Sequence, residues 1–209
     1  MSNILGLNSE QVAEKKRVGE ANFMPLSTTR TYQEIIQKKE QTASEIRTAL
    51  FQLRGSNAIP FEQAYELAKR AEQQTGVRPA FLLGIIATES NLGQNLGTGN
   101  WLVDMHPERD RPVFKDICER LGIDPDSMPV SKKPWYGWGG AMGPAQFIPS
   151  TWILYEDKIA QLTGNNPPNP WDPEDAFMAS AVLLKDNGAA KGGYDNERLA
   201  ALRYLAGGK

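Results

Sequence analysis

The sequence predicts an all-α fold, because apolar residues recur at helical spacing along most of the chain and no paired alternating runs indicate a sheet. Prolines and glycines mark helix starts and stops, as at Pro79 and Gly164. With 209 residues, the chain is long enough for one well-packed domain and an appendage. We therefore expect a helical domain with a long irregular insertion and an N-terminal helix.

Three segments divide the chain. Residues 1–30 are polar and weakly patterned, which predicts a loosely ordered start. Residues 31–55 carry apolar positions at helical spacing, and this helix either packs on the main domain or begins a coiled coil. Residues 56–209 are predicted to form the main domain.

Helices are predicted in the main domain from apolar periodicity and from capping residues. The second of them, which opens at Pro79, is apolar on every side, so we expect it to be buried all round. Residues 93–140 are irregular apart from one short helix, which is typical of a functional loop or lid. The predicted helices cover residues 60–75, 79–90, 112–121, 149–163, 173–187 and 196–206.

The composition excludes several classes of function. The 23 basic and 25 acidic residues give a net charge of −2, so no electrostatic footprint for nucleic acid or an anionic membrane is present. Cys118, the single cysteine, allows no internal disulfide and no thiolate metal site, and its apolar helical surroundings predict a core position. His106, the single histidine, excludes a His-rich metal site and is expected in a solvated loop. A nucleophilic pair of these two residues is the alternative.

Glu89 is the most unusual residue of the sequence. On a helix it shares a face with Leu82, Ile85 and Ile86, where a glutamate is rare unless it is paired or functional. Burial would raise its pKa towards neutrality, as a general acid requires. The alternative is a glutamate at a helix end that reaches solvent past Ser90, and the local pattern leaves both open.

A glycine-rich segment at residues 139–152 is the second unusual feature. Its glycines would let the backbone approach a ligand closely, and Gln146 offers a donor and an acceptor for a sugar amide or hydroxyl. A plain glycine-rich turn before a helix is the simpler interpretation. No lysine follows in the position that a phosphate-binding loop needs.

Aromatic residues are concentrated in the irregular connection, where rings can stack on sugar faces. They are Trp101, Trp135, Tyr136 and Trp138. Of these, Trp138 is favoured as a stacking residue, because it lies two residues before Gly140; the alternative is that one or two of these rings fill the core. Trp152 and Trp171 are instead expected in the core.

Four ordered motifs resemble the soluble-lytic-transglycosylase-like domain, which has a lysozyme-like fold. They are Ala-Thr-Glu-Ser-Asn-Leu-Gly at 87–93, the segment 140–152, Pro-Trp-Asp-Pro-Glu-Asp-Ala at 170–176 and Tyr-Leu-Ala-Gly at 204–207. The long interval between the first two resembles the membrane-bound lytic transglycosylase B branch. The resemblance spans about residues 60–207.

The resemblance implies a role for each matching residue. Glu89 would be the catalytic acid and base, with Ser90 as a supporting residue at the substrate site. The backbone around Met142 and the side chain of Gln146 would line the glycan cleft. Tyr204 would face Glu89 across it, although Leu205 stands where the family motif has asparagine. The family also continues with a further helix, so the chain is expected to be truncated at its C-terminus.

The implied reaction cleaves the β-1,4 bond between N-acetylmuramic acid and N-acetylglucosamine and leaves a 1,6-anhydro end, with no metal or cofactor. One carboxylate suffices, and Asp104, Asp110 and Asp116 lie in the connection without apolar framing. A lysozyme-type hydrolase and a non-catalytic peptidoglycan-binding module are the rival functions.

Peptidoglycan glycan strands are the expected partner of a monomeric protein. No nucleic acid is expected, and no apolar run reaches the length of about 18 residues that a membrane span needs. The start of the chain lacks the pattern of a signal peptide. We expect action outside the cytoplasm, with the export signal absent from this chain; a phage virion or lysin is the alternative setting.

Overall fold

A computed structural model describes residues 31, 34, 35, 38, 39 and 58–205. The first five positions are helical and belong to a compact unit separate from that of residues 58–205. The predictions for residues 1–30, for most of 31–55 and for the C-terminal end lie outside the described residues. The domain boundaries therefore stay predictions.

Residues 58–205 contain seven α-helices and no β-strand, which confirms the all-α class. Short 3-10 turns lie at Pro125–Ser127 and Ala189–Lys191. The helices are α1 (Phe61–Thr75), α2 (Pro79–Ser90), α3 (Trp101–Asp104), α4 (Arg111–Leu121), α5 (Pro149–Thr163), α6 (Pro173–Asp186) and α7 (Tyr194–Leu205).

Local capping explains why most predicted helix ends agree with the structure to within two residues. The Asp172 carboxylate accepts hydrogen bonds from the backbone N–H groups of Glu174 and Asp175 and so caps α6. Gly76 and Gly164 end α1 and α5 in the left-handed conformation. Helix α3 was not predicted, because four residues are too few for a periodic pattern.

Helix α6 is the centre of the domain. All ten residues from Asp175 to Leu184 are buried, and α6 packs against α1, α2, α5 and α7. The expectation that α2 is buried on every side is wrong, since Gly84, Ala87 and Thr88 are exposed. Apolar composition does not show which sides of a helix meet neighbours, and it is α6 that the other helices surround.

The core tryptophans and the cysteine were predicted correctly. Trp152 and Trp171 are fully buried, and so is Cys118. Burial raises the pKa of the Cys118 thiol to about 12, so this cysteine is a core residue and not a nucleophile. His106 is half-buried, and its Nδ1 accepts a hydrogen bond from the backbone N–H of Arg109.

The connection between α2 and α5 is held together by isolated backbone bridges. Val130 pairs antiparallel with both Gly99 and Met142, and Met142 pairs in turn with Phe147. These bridges fold the connection back on itself and bring the glycine-rich segment against the end of α2. The connection thereby forms one side of the cavity described next.

Candidate active site

A cavity of about 320 Å³ opens beside the last turn of α2. Its remaining walls come from the turn before α5, from α5 itself, and from α6 and α7. The lining residues are Glu89, Gln146, Phe147, Ile148, Thr151, Leu154, Tyr155, Leu183, Tyr204 and Leu205. One acidic group therefore shares the cavity with one amide side chain and with apolar and hydroxyl-bearing side chains.

Glu89 is that acidic group. The sequence left open whether Glu89 is buried or reaches solvent, and its side chain is intermediate, since it is half-buried. Burial raises the pKa of Glu89 above its ordinary value. Within the part of the chain that the structure describes, no side chain or backbone group forms a hydrogen bond or ion pair with its carboxyl group. The group is free to exchange a proton with a ligand.

Helix α2 ends at Ser90, one residue after Glu89. Asn91, Leu92 and Gly93 follow one another with positive φ angles of 51°, 55° and 82°. A leucine in this region is uncommon, because its side chain crowds the backbone there. Strained backbone of this kind tends to persist where the surroundings require it, as at functional sites.

Ser90 fixes that turn from inside. Its Oγ donates to the carbonyl oxygen of Pro144 at 2.7 Å and accepts from the backbone N–H of Gly93 at 2.8 Å. Ser90 is 1 % exposed and does not line the cavity. Its position suits a supporting residue for Glu89 and gives it no direct route to a substrate.

Gln146 lines the cavity with a positive φ of 54°. Its side-chain Nε2 donates to the carbonyl oxygen of Gly143 at 2.9 Å, which orients the amide. Among the described residues, none donates a hydrogen bond to its Oε1. That oxygen and the second amide hydrogen can serve a polar ligand.

Tyr204 joins three parts of the site. Its hydroxyl donates to the carbonyl oxygen of Ala145 at 2.8 Å and lies 2.7 Å from the hydroxyl of Ser180, which then acts as donor. Its ring packs edge-on against Phe147. Burial raises the pKa of Tyr204, and the nearby charge of Glu89 raises it further. Tyr204 is therefore a neutral phenol, and it lines the same cavity as Glu89.

Met142 does not line the cavity. It is fully buried, and its backbone N–H donates to the carbonyl oxygen of Phe147 at 2.8 Å. Two neighbouring glycines are required by close packing within the protein. A β-carbon at Gly143 would lie 1.8 Å from the carbonyl oxygen of Pro170, and one at Gly140 would lie 2.1 Å from Cγ of Met105.

Trp101, Trp135, Tyr136 and Trp138, the four aromatic residues singled out in the sequence, do not line this cavity. Trp138 is 39 % exposed, packs against the ring of His106 and has the Lys133 ammonium 3.6 Å from its ring centroid. Trp135 and Tyr136 are largely exposed and contact each other edge-on. A stacking role for Trp138 therefore requires a groove that extends beyond the Glu89 cavity.

The other carboxylates of the connection lie elsewhere. Asp110 was expected to lack apolar framing, yet it is fully buried. It accepts hydrogen bonds from the Arg109 side chain and from the backbone N–H of Ser150, so it ties α4 to α5. Asp104 accepts from backbone N–H groups and Asp116 pairs with Arg120. Among the described residues, Glu89 is the only carboxylate in the cavity wall.

Two hydroxyl groups of α5 were missed by sequence reasoning. Thr151 and Tyr155 lie one helical turn apart and both line the cavity. Tyr155 is half-buried and, among the described residues, no group hydrogen-bonds its hydroxyl. The hydroxyl of a tyrosine usually needs a hydrogen-bond partner or solvent when its ring is buried. That requirement is the feature of the sequence that could have indicated a cavity position for Tyr155.

The chain is similar to known lytic transglycosylases. It is 31 % identical over 145 residues to membrane-bound lytic murein transglycosylase B of Escherichia coli K12, covering 65 % of this chain and 39 % of that protein. The chain thus spans about two fifths of the curated relative that it matches. No protein-family model matches the chain.

Solved structures support the fold assignment. The Escherichia coli lytic transglycosylase Slt35 in complex with bulgecin A aligns with a TM-score of 0.51 and 23 % identity, over 76 % of this chain and 50 % of that one. The same enzyme in complex with calcium aligns with a TM-score of 0.51 and 21 % identity, over 91 % of this chain and 61 % of that one. None of the helices described in our structure is long and apolar enough to cross a membrane.

Proposed function

We propose that this chain, whose residues 58–205 form a soluble-lytic-transglycosylase-like domain, cleaves the β-1,4 bond between N-acetylmuramic acid and N-acetylglucosamine in peptidoglycan. The observation that carries the proposal is the pairing of one half-buried carboxyl group, Glu89, with a cavity that Gln146 and Tyr204 also line. The similarity to a lytic murein transglycosylase supports the same reaction.

Glu89 would act first as an acid. Because burial raises its pKa, the Glu89 carboxyl group keeps its proton to a higher pH than an ordinary glutamate does, as a general acid requires. The acid donates its proton to the glycosidic oxygen while the bond from that oxygen to C1 of the muramoyl residue breaks. The leaving N-acetylglucosamine residue departs with a free hydroxyl.

Glu89 would then act as a base. The carboxylate takes the proton of the muramoyl C6 hydroxyl, and the C6 oxygen bonds to C1 to close the 1,6-anhydro ring. Glu89 ends the cycle protonated, as it began, so atoms and charge balance without water. This scheme needs one carboxyl group, whereas most hydrolases require a second to act as nucleophile or to activate water.

The non-catalytic alternative required an exposed Glu89 without a cleft beside Gln146 and Tyr204. The geometry does not meet that condition, since all three residues line one cavity. The lysozyme-type alternative would use the same glutamate and a water molecule. It differs from the proposed reaction in its product, which carries a reducing end instead of an anhydro end.

The proposed substrate places the site of action at the bacterial cell wall, where the enzyme would remodel glycan strands. A phage-borne enzyme that opens the wall would perform the same chemistry. We infer that peptidoglycan is the partner in either setting, acted on by a monomer.

Mass analysis of muropeptides released from purified peptidoglycan tests the proposal. A muropeptide with a 1,6-anhydro end is lighter by one water than its hydrolysed counterpart. Anhydro products are expected from the protein, and reducing ends alone would identify a hydrolase. Absence of any released muropeptide from the folded protein would contradict catalysis.

A further inference from the structure

A second cavity lies directly behind the wall of the first. It has a volume of about 250 Å³, and Leu154 and Tyr155 line both cavities. The two cavities therefore adjoin across a single pair of side chains on α5. The remaining lining residues come from the end of α1, from α5 and from α6, and they are Gln74, Thr75, Lys158, Leu162, Val182, Lys185 and Asp186.

The charged groups of this second cavity differ from those of the first. Lys158 and Lys185 are both exposed, and within the described part of the chain neither forms an ion pair or a side-chain hydrogen bond. Asp186 is the one acidic residue of the lining, against two ammonium groups. The second cavity thus presents two ammonium groups that have no ion-pair partner among the described residues. The first cavity presents a single carboxyl group, that of Glu89.

Two lysines that converge on a cavity favour a carboxylate ligand, because an ammonium group forms charge-assisted hydrogen bonds with carboxylate oxygens. The apolar part of the lining, Leu162 and Val182, suits short aliphatic side chains on the same ligand. A neutral glycan has no carboxylate on its sugar ring. The peptide that peptidoglycan carries on its muramoyl residues has carboxylates and alanine methyl groups.

We propose that the second cavity binds the peptide substituent of the muramoyl residue, with Lys158 and Lys185 contacting its carboxylates. The inference rests on the proposed function, because the glycan must occupy the Glu89 cavity for its substituent to pass over Leu154 and Tyr155. Asp186 lies near Tyr155, and its carboxylate can accept a hydrogen bond from an N–H group of the same peptide. The site selects peptide-bearing strands over bare glycan.

The test is binding to the Glu89→Gln protein, so that cleavage does not interfere. The probes are a muropeptide tetrasaccharide with free peptide carboxylates, the same compound with these carboxylates amidated, and the peptide-free tetrasaccharide, which keeps only the lactyl carboxylate. The test variant adds Lys158→Gln and Lys185→Gln. The matched control adds Lys115→Gln and Lys191→Gln, two exposed lysines that line neither cavity.

We expect the test variant to bind the free-carboxylate probe about tenfold more weakly than the control, since each exposed charge pair contributes modestly. Affinity for the amidated and peptide-free probes should change less than about twofold. Equal weakening for the amidated probe would overturn the inference, as would unchanged affinity for all three. Weakening for the peptide-free probe would assign the lysines to the lactyl carboxylate instead, and that also contradicts it.

The proposed function and the peptide site can be contradicted independently of each other. If the unmutated protein released no anhydro muropeptide while the carboxylate dependence held, the peptide site would stand and the catalytic proposal would fall. If anhydro products formed at equal rates from strands with free and with amidated peptides, catalysis would stand and the peptide site would fall.

Discussion

The hydroxyl of Ser90 lies 2.7 Å from the carbonyl oxygen of Pro144 and joins the end of the Glu89 helix to the glycine-rich turn. We expect Ser90→Ala to cost about 1–3 kcal/mol of unfolding free energy, because a buried carbonyl oxygen and the Gly93 N–H both lose their partner. Thr88→Ala is the matched control, since its exposed hydroxyl bonds only to its own helix. Urea denaturation of both variants measures the difference, and equal stabilities would contradict the assigned role.

A second prediction concerns Gly143. Its φ is 64°, and a β-carbon at this position would lie 1.8 Å from the Pro170 carbonyl oxygen, so there is no room for a side chain. Gly143→Ala should therefore destabilise the fold by at least about 2 kcal/mol. Gly137→Ala, where a β-carbon meets nothing within 4 Å, should leave stability nearly unchanged. The idea fails if the two variants melt at the same temperature.

Much of this architecture could be predicted from sequence, because it depends on local rules. Prolines and capping residues such as Asp172 place helix ends, and periodicity places the helices themselves. Helix α6 could not be identified as the centre, since that depends on which elements surround it. For the same reason the burial of Asp110 was not predicted, because it comes from contacts with α5 that are distant in sequence.

Some of the residues predicted for the site line the cavity, and their roles stay predictions. The motif resemblance assigned Glu89, Gln146 and Tyr204 to one site, and all three line one cavity. Ser90 and Met142 are buried and do not line it, because proximity in sequence to a cavity residue does not fix where a side chain lies. Tyr155 was missed because helical spacing alone cannot tell a core face from a cavity face.

The pH dependence of cleavage follows from the raised pKa of Glu89. The reaction begins with the protonated acid, so the competent fraction falls as pH rises through that pKa. We expect kcat/KM to be highest on the acid-to-neutral side and to decline above it. Steady-state rates of muropeptide release between about pH 4 and pH 9 measure this profile. Activity that still increases well above neutral pH would exclude a glutamic acid as first proton donor.

Trp138 stays a candidate for a wall of the glycan groove, outside the Glu89 cavity. Since it is partly exposed, Trp138→Ala should weaken binding of a glycan oligomer with little loss of thermal stability. Trp152→Ala is the contrasting variant, because this ring is fully buried and its truncation should cost about 3–5 kcal/mol. Melting temperature and oligosaccharide affinity are measured together. Severe destabilisation by Trp138→Ala with unchanged affinity would make it a core residue.

Release of anhydro muropeptides by the Glu89→Gln protein tests the central claim most directly. The variant should fold, with a melting temperature at neutral pH equal to or slightly above that of the unmutated protein, because burial disfavours the carboxylate that it removes. Glu119→Gln, which changes an exposed glutamate on α4, is the control and should retain full activity. The account predicts that the folded Glu89→Gln protein releases no anhydro product, and substantial release would contradict it.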